Sequence, residues 1–249
     1  MTLGDGETQP LGWFELFEDR ILALDSAHVF LMTAQALAAQ SQLVAEVGCG
    51  RGVLADVSAV NERGPWQDLR GPGRRVIGID IDPIGTQNPI IDEFRLIEED
   101  GKWPLESASV DLAVSDFVLE HVTDPTHFAS EMARVLRPGG VFLARTVSRH
   151  SLLAMAARLV PNHSHINVLN TVQPGREEQD VFKTAYLMNT RRSLADLLDK
   201  DFEWAAASRT GLDRYLVPWP RIAKMVVAVE RRLPRSFQTA LVIVARRKG

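Results

Sequence analysis

The chain has 249 residues, 45% hydrophobic and 24% charged, with a formal net charge of −4 and a pI near 5.9. This is the balance of an ordinary globular protein, and the length suits one large domain spanning residues 1–249. It argues against binding nucleic acid through bulk positive charge, and the single cysteine, Cys49, excludes an intrachain disulfide and a cysteine-based zinc site.

The segment Thr2 to Pro10 is acidic and polar and does not read as a secretory leader. No apolar run reaches the ~18 residues that suggest a membrane span, so a cytoplasmic protein is expected. Residues 13–40 carry Leu16, Ile21, Leu24, Val29, Leu31 and Leu37 at helical spacing, with a break near Asp25-Ser26. A first strand is predicted at Leu43–Val47. It runs into the glycine turn Gly48-Cys49-Gly50-Arg51-Gly52, after which helix formers resume at Val53. A loop rich in glycine and proline follows, over residues 61–74, and then a second strand at Arg75–Ile79. Further strands are expected at Arg95–Ile97, Val110–Ser115 and Val141–Val147. A helix at Pro125–Leu136 and a turn at Pro138-Gly139-Gly140 precede the last of these.

After the fifth strand, Ser151–Val160 reads as helix, and Pro161–Lys183 shows no clear period. A long irregular loop inside a compact domain is usually functional or mobile. Residues 148–189, together with the N-terminal helices, are therefore expected to form a substrate cap that includes His163, His165 and Tyr186. A helix at Thr190–Leu198, capped by Asn189 or Thr190, leads to a strand at Glu203–Ser208 and a helix at Trp219–Leu233. A last strand follows at Ala240–Ala245. The apolar face Ile222, Met225, Val226 and Val229 of the late helix is read as core packing, with a dimer contact as the alternative. Strands alternating with helices predict an α/β fold, a Rossmann-like seven-stranded and mostly parallel sheet with helices on both faces.

A glycine turn between a strand and a helix lets backbone approach a ligand closely. The dinucleotide fingerprint Gly-x-Gly-x-x-Gly would need its third glycine at position 53, which is Val53. Glu46, two residues before the turn, would repel a pyrophosphate and suits a ligand bearing an ammonium group. Asp80 ends the second strand, where a carboxylate can accept from ribose hydroxyls. Asp100-Gly101 follows the third strand, and Ser115, Asp116 and Phe117 close the fourth. Cys49 is read as a small packed side chain rather than a nucleophile.

The ordered set Glu46-Val47-Gly48-Cys49-Gly50-Arg51-Gly52, Gly78-Ile79-Asp80, Asp100-Gly101, Ser109-Val110-Asp111-Leu112, Leu119-Glu120-His121-Val122 with Asp124-Pro125, and Arg134 to Gly140 resembles class I S-adenosylmethionine-dependent methyltransferases. It is most similar to their small-molecule branch. The resemblance spans residues 43–147 and implies the cofactor S-adenosylmethionine, with S-adenosylhomocysteine as product. It implies that Glu46, Gly48, Cys49, Gly50 and Gly52 hold the methionine end. Asp80 would bind the ribose and Ile81 would pack on adenine. Asp100 and Gly101 would take the adenine amino group, while Ser115, Asp116 and Phe117 line the donor site.

His121 is a candidate base or a shaping residue of the acceptor entrance, two readings that stay open. His163 and His165 form an i, i+2 pair with no third ligand evident, so no metal is expected. The expected partner is a small-molecule acceptor rather than nucleic acid, for a monomer or homodimer. A non-catalytic methyltransferase-like binding or regulatory protein and a nicotinamide oxidoreductase are the competing readings.

Overall fold

In the computed structural model the described residues are 25–52, 66–151, 184–211 and 220–249. The helical segments before Asp25 and after Val53, the helix expected at 151–160, and most of the cap, including His163 and His165, lie outside them.

The described chain forms α1 (Ser26–Ala38), β1 (Leu43–Val47), β2 (Arg75–Asp80), β3 (Glu93–Leu96), β4 (Val110–Asp116), α2 (Pro125–Val135) and β5 (Leu136–Val147). It continues with α3 (Arg191–Leu198), β6 (Phe202–Arg209), α4 (Pro220–Arg232) and β7 (Ala240–Arg247). The seven strands make one sheet in the order β3-β2-β1-β4-β5-β7-β6. The first five are parallel, and β7 runs antiparallel to both β5 and β6. The order turns back at β1, so the crevice between the C-terminal ends of β1 and β4 is the topological switch point, where folds of this kind bind ligands.

Both faces of the sheet are buried. On one face Phe30, Leu31 and Ala34 of α1 pack on Val44, Val76, Leu112, Val114 and Leu143. On the other, Phe128 and Met132 of α2 and Leu194 and Leu198 of α3 pack on Ala45, Ile77, Ala113 and Phe142. Helices α1, α2 and α3 each begin on a side-chain cap. Asp25 accepts the His28 N–H at 2.9 Å, Asp124 accepts the His127 N–H at 2.9 Å, and Thr190 forms a capping box with Ser193. Thr190, not Asn189, is therefore the cap of α3. Asn189 is buried instead, and its amide donates to Thr146 Oγ1 and the Val147 carbonyl.

Three expectations are corrected. Pro138-Gly139-Gly140 is not a turn ahead of β5 but lies inside it. Leu136 pairs with Val110 and Val141 with Leu112, so residues 137–140 bulge out of the ladder. A bulge lets proline and glycine sit within a strand. The irregularity also explains why Val110 joins the α2 face while Leu112 joins the α1 face. Strand β3 begins at Glu93 rather than Arg95, because Ile77 of β2 pairs with Glu93 at the sheet edge and that carboxylate is ion-paired by Arg75 and Arg95. On α4, Met225 and Val229 are 62% and 50% exposed, so neither is a core residue. Glu230 is the buried side chain there, accepting the backbone N–H groups of Gly211 and Thr239.

The segment 103–105 is fixed under α2 by one ion pair. Glu131 accepts the Trp103 N–H at 2.7 Å and two bonds from Arg134, whose guanidinium also donates to the Trp103 and Leu105 carbonyls. Trp103 then meets Phe128 edge-on at 5.1 Å. The Arg134 guanidinium holds the Glu131 carboxyl below its usual range. Its contribution is therefore present above the ordinary glutamate value and is lost as pH falls through the depressed one. Glu131→Gln is expected to cost about 1–3 kcal/mol of stability near neutral pH. In urea unfolding the difference from wild type should shrink at strongly acid pH; a difference that stays constant down to pH 3 contradicts this account.

Candidate functional site

The turn after β1 is built where glycine alone fits. Gly48, Gly50 and Gly52 have φ of 70°, 48° and 68°, a region that costs a residue with a Cβ. A Cβ on Gly48 would lie 2.3 Å from Val118 Cγ2, and one on Gly52 would lie 2.4 Å from Asn88 Oδ1. Val118 follows β4 and Asn88 follows β2, so the turn is wedged between the loops of both neighbouring strands. The Gly48 N–H donates to the Ile79 carbonyl at 2.8 Å, and Asn88 donates to the Cys49 carbonyl at 2.9 Å.

Asp80 is the clasp of this turn. Its two carboxylate oxygens accept the Gly50 N–H at 2.8 Å and the Asp82 N–H at 3.0 Å, and the side chain is 8% exposed. A carboxylate has about four lone-pair sites, so roughly two remain for a ligand. Next to it, Ile81 is 64% exposed and Leu96 42% exposed. These apolar side chains border a shallow hollow lined also by Ile97, Glu98, Glu99 and Asp100. Asp100 lies exposed in the turn after β3, with Oδ1 accepting the Lys102 N–H at 2.9 Å. Gly101 has a φ of 71°.

Glu46 is on β1 between Gly78 of β2 and Val114 of β4, neither of which offers a polar side chain. The residue is half-buried, yet protein is dense around its carboxyl, and among the described residues no hydrogen-bond donor reaches it. Burial and the nearby carboxylates of Asp116, Asp68 and Asp80 push it up from 4.5 to about 8. The cations nearest those neighbours are already engaged. Arg145 makes a bidentate pair with Asp116 at 2.7 and 2.6 Å, and Arg70 pairs with Asp68 at 2.7 Å. The Arg145 guanidinium also lies between the rings of Phe30 and Phe117, 5.1 and 4.7 Å from their centroids. Phe117 has a φ of 57° and donates its N–H to the Arg145 carbonyl at 2.8 Å.

A second polar cluster ties the loop after β4 to the end of β5 and to residues 185–189. The Glu120 carboxyl accepts from Thr146 Oγ1 at 2.7 Å, and Thr146 Oγ1 in turn accepts from the Asn189 amide at 2.7 Å. The Glu120 carbonyl accepts the N–H groups of Ala185 and Tyr186. This brings Tyr186 beside the turn that carries His121, whose own N–H donates to the Val118 carbonyl. Ser115 is 1% exposed and its Oγ has no partner among the described residues.

The sequence-predicted residues Glu46, the turn glycines, Asp80, Ser115, Asp116 and Phe117 thus converge at the switch point, with His121 and Tyr186 in the loops beyond it. Asp116 faces Arg145 rather than open space. Asn88, Asp68, Arg145, Thr146 and Asn189 were not anticipated. A charged residue inside the apolar run Val141-Phe142-Leu143-Ala144 was a readable signal for Arg145; Asn88 offered none.

A doubly wound sheet with a glycine turn and carboxylates on the ends of β1 and β2 is an α/β arrangement with its ligand crevice at the switch point. Residues 45–144 match the family model described as a methyltransferase domain. Over 113 residues the chain is 42% identical to a probable S-adenosylmethionine-dependent methyltransferase of Mycolicibacterium smegmatis, covering 43% of this chain and 38% of that one. It is 30% identical over 131 residues to the malonyl-[acyl-carrier protein] O-methyltransferase of Yersinia pestis, covering 50% and 45%. The chain therefore spans about two fifths of the length of such curated relatives. Among solved structures, a chain from the complex of the Haloferax volcanii Trm112 methyltransferase activator with a methyltransferase matches at a TM-score of 0.51. Its identity is 23%, with 88% of this chain and 90% of that one covered, a likeness of fold. Over residues 45–144 the chain is similar to S-adenosylmethionine-dependent methyltransferases.

The residues present fit that cofactor. A half-buried carboxyl with no donor among the described residues suits an ammonium group, and the exposed apolar Ile81 and Leu96 suit a flat ring. Among the described residues no cluster of three or more His, Cys, Asp or Glu could hold a metal ion, and no helix is long and apolar enough to cross a membrane.

Two consequences are measurable. Cys49 is 5% exposed, and burial together with Glu46 raises its thiol far above the ordinary value. Native protein at pH 8 should resist iodoacetamide and react only when unfolded in urea; rapid native labelling contradicts the packed, neutral thiol. Asp80→Asn replaces one acceptor oxygen with a donor facing a backbone N–H. It should weaken S-adenosylhomocysteine binding about tenfold or more by calorimetry. Unchanged affinity would remove Asp80 from the site.

Proposed function

We propose that this protein transfers a methyl group from S-adenosylmethionine to an oxygen, nitrogen or carbon atom of a small-molecule acceptor. The observation that carries the reading is Glu46, a carboxyl with no donor among the described residues, beside a glycine turn at the switch point. The relative from Yersinia pestis, an O-methyltransferase of a malonyl group on acyl-carrier protein, supports oxygen as one acceptor atom.

When bound, the sulfonium supplies an electrophilic methyl carbon, so the protein's task is alignment and exclusion of water. Glu46 and the turn from Gly48 through Cys49 and Gly50 to Gly52 hold the methionine end. The remaining acceptor capacity of Asp80 takes the ribose hydroxyls. Ile81 covers adenine, with Asp100 and Gly101 at its amino group. Ser115 and Phe117 border the reacting centre, with Asp116 behind them on Arg145. His121, fixed through Glu120 to the chain at Tyr186, stands on the acceptor side. There it takes the proton of an acceptor that must lose one, or shapes the entrance for an acceptor that need not.

Calorimetry with S-adenosylhomocysteine and with NAD tests the assignment directly. We expect S-adenosylhomocysteine to bind and NAD not to. Binding of NAD alone would overturn the reading, because it would place a pyrophosphate where Glu46 stands. Incubation of labelled S-adenosylmethionine with panels of small hydroxyl, amino and carbon acceptors then tests transfer. Cofactor binding with no transfer across all panels would favour a binding or regulatory protein.

A further inference from the structure

Arg70, Arg95, Arg134 and Arg145 are each neutralised by a carboxylate. Arg209, the last residue of β6, is not. Among the described residues it donates only to the neighbouring Ser208 carbonyl, at 3.1 Å, and its Nε is buried without a partner. A buried guanidinium nitrogen with no acceptor is costly and asks for an explanation. The short helical turn Arg235–Phe237 leads into β7 and packs against β6. Its first residue, Arg235, is exposed, and among the described residues no carboxylate pairs with it. Burial, and then the charge of Arg235, hold the Arg209 guanidinium below the usual arginine range. The acids on the surrounding segments are engaged elsewhere. Asp25 caps α1, whose Ser26 N–H donates to the Thr210 carbonyl, and Glu230 accepts the N–H groups of Gly211 and Thr239.

The register puts this pair of cations at the edge where the crevice opens. Arg209 pairs with Ala240 and Ala240 with Val147, so Arg209 stands in one row with the C-terminal end of β5. Side chains alternate along a strand. Arg209 therefore shares a face with Ala207, which lies in the row of Val242, Arg145 and Asp116, and this is the face that α1 covers. Three strand spacings of about 4.8 Å separate β6 from β4, so the two positions lie roughly 14 Å apart across the sheet. A small molecule whose reacting atom is at Ser115 and Phe117 can hold its far end at Arg209. We propose that Arg209 and Arg235 form an oxyanion site at the C-terminal edge of β6, and that the acceptor carries a carboxylate or phosphate held there. The inference deepens the methyltransferase reading and rests on it. The planar fork of a guanidinium matches either oxyanion through paired N–H···O bonds. Two cations without a protein carboxylate on this side of the crevice select against neutral and cationic acceptors.

The test uses the full chain. Its thermal midpoint is followed while inorganic phosphate or succinate is titrated at constant ionic strength, with sodium chloride as the reference. We expect a saturable rise beyond that of chloride. A rise with phosphate alone assigns a phosphorylated acceptor, and one with succinate alone a carboxylated acceptor. Arg209→Gln and Arg235→Ala should each weaken the apparent anion affinity about tenfold while S-adenosylhomocysteine binds as before. Because Arg235 is exposed, its replacement separates loss of the anion from loss of the fold. No rise beyond chloride, or an undiminished rise in both variants, would overturn the site. In transfer assays, acceptors bearing a free carboxylate or phosphate should be methylated and their neutral esters should not. Arg235→Ala should raise KM for the charged acceptors about tenfold with little change in kcat. Equal transfer to the neutral esters would overturn the acceptor role. If phosphate or succinate binds and S-adenosylhomocysteine does not, the methyltransferase reading falls and the acceptor role falls with it.

Discussion

The Asp80 carboxylate sets the shape of the whole cofactor edge. One oxygen receives the Gly50 N–H from the turn after β1, and the other receives the Asp82 N–H at the start of the loop after β2. Two loops from adjacent strands are thereby held by one buried charge. Three left-handed glycines let the chain curl back far enough for that contact. Val118 and Asn88 then close on the bare backbone of Gly48 and Gly52, so the turn is clamped from the β4 side as well as the β2 side. The ladder below supplies the rigid base, since β1 pairs in register with both β2 and β4. A ligand at this edge meets backbone already fixed in position, and little ordering is left to be done on binding.

Much of this was legible because it depends on local chemistry. The glycine spacing and the absence of glycine at Val53 identify the kind of turn. Strand cores such as Leu43–Val47 and Val110–Ser115 are apolar runs that a doubly covered sheet requires. What sequence did not reveal depends on contacts between distant segments. Asn88 pins the turn only because β2 and its following loop return beside β1. The bulge at residues 137–140 looks like a terminating turn, since proline followed by two glycines is turn chemistry in either setting, and only the Leu136–Val110 pairing shows that the strand has already begun. Edge strand β3 starts two residues earlier than its apolar pattern suggests, because Glu93 looks like a loop residue until its pairing with Ile77 and its ion pairs with Arg75 and Arg95 are known. Met225 and Val229 show the opposite failure, an amphipathic pattern whose apolar side remains exposed.

The loops beyond β4 and β5 are organised differently from the turn after β1. There the fixed points are side-chain chains rather than glycine backbone: Glu120 to Thr146 to Asn189, and Asp116 to Arg145 between two aromatic rings. Each joins the loop after β4 to the end of β5 and to a segment remote in sequence, α1 in one case and residues 185–189 in the other. Buried polar networks of this kind specify geometry, because losing one member leaves the others unsatisfied. Glu120 and Asn189 therefore set where His121 and Tyr186 stand, and the segment they anchor begins where the chain leaves the described part of the cap.

Glu46 shows how such a site trades stability for recognition. A group whose folded value is raised contributes stability below its ordinary value, and that contribution is lost as pH rises toward the raised one. For Glu46 this window runs from 4.5 to about 8, so the free protein is under increasing electrostatic strain across the neutral range. Relief could come from a built-in cation, but Arg145 and Arg70 are each tied to another carboxylate. Moving Arg145 to Glu46 would leave Asp116 unpaired and would remove the guanidinium from between Phe30 and Phe117. The fold thus pairs Asp116 and Asp68 with arginines and gives Glu46 no donor among the described residues.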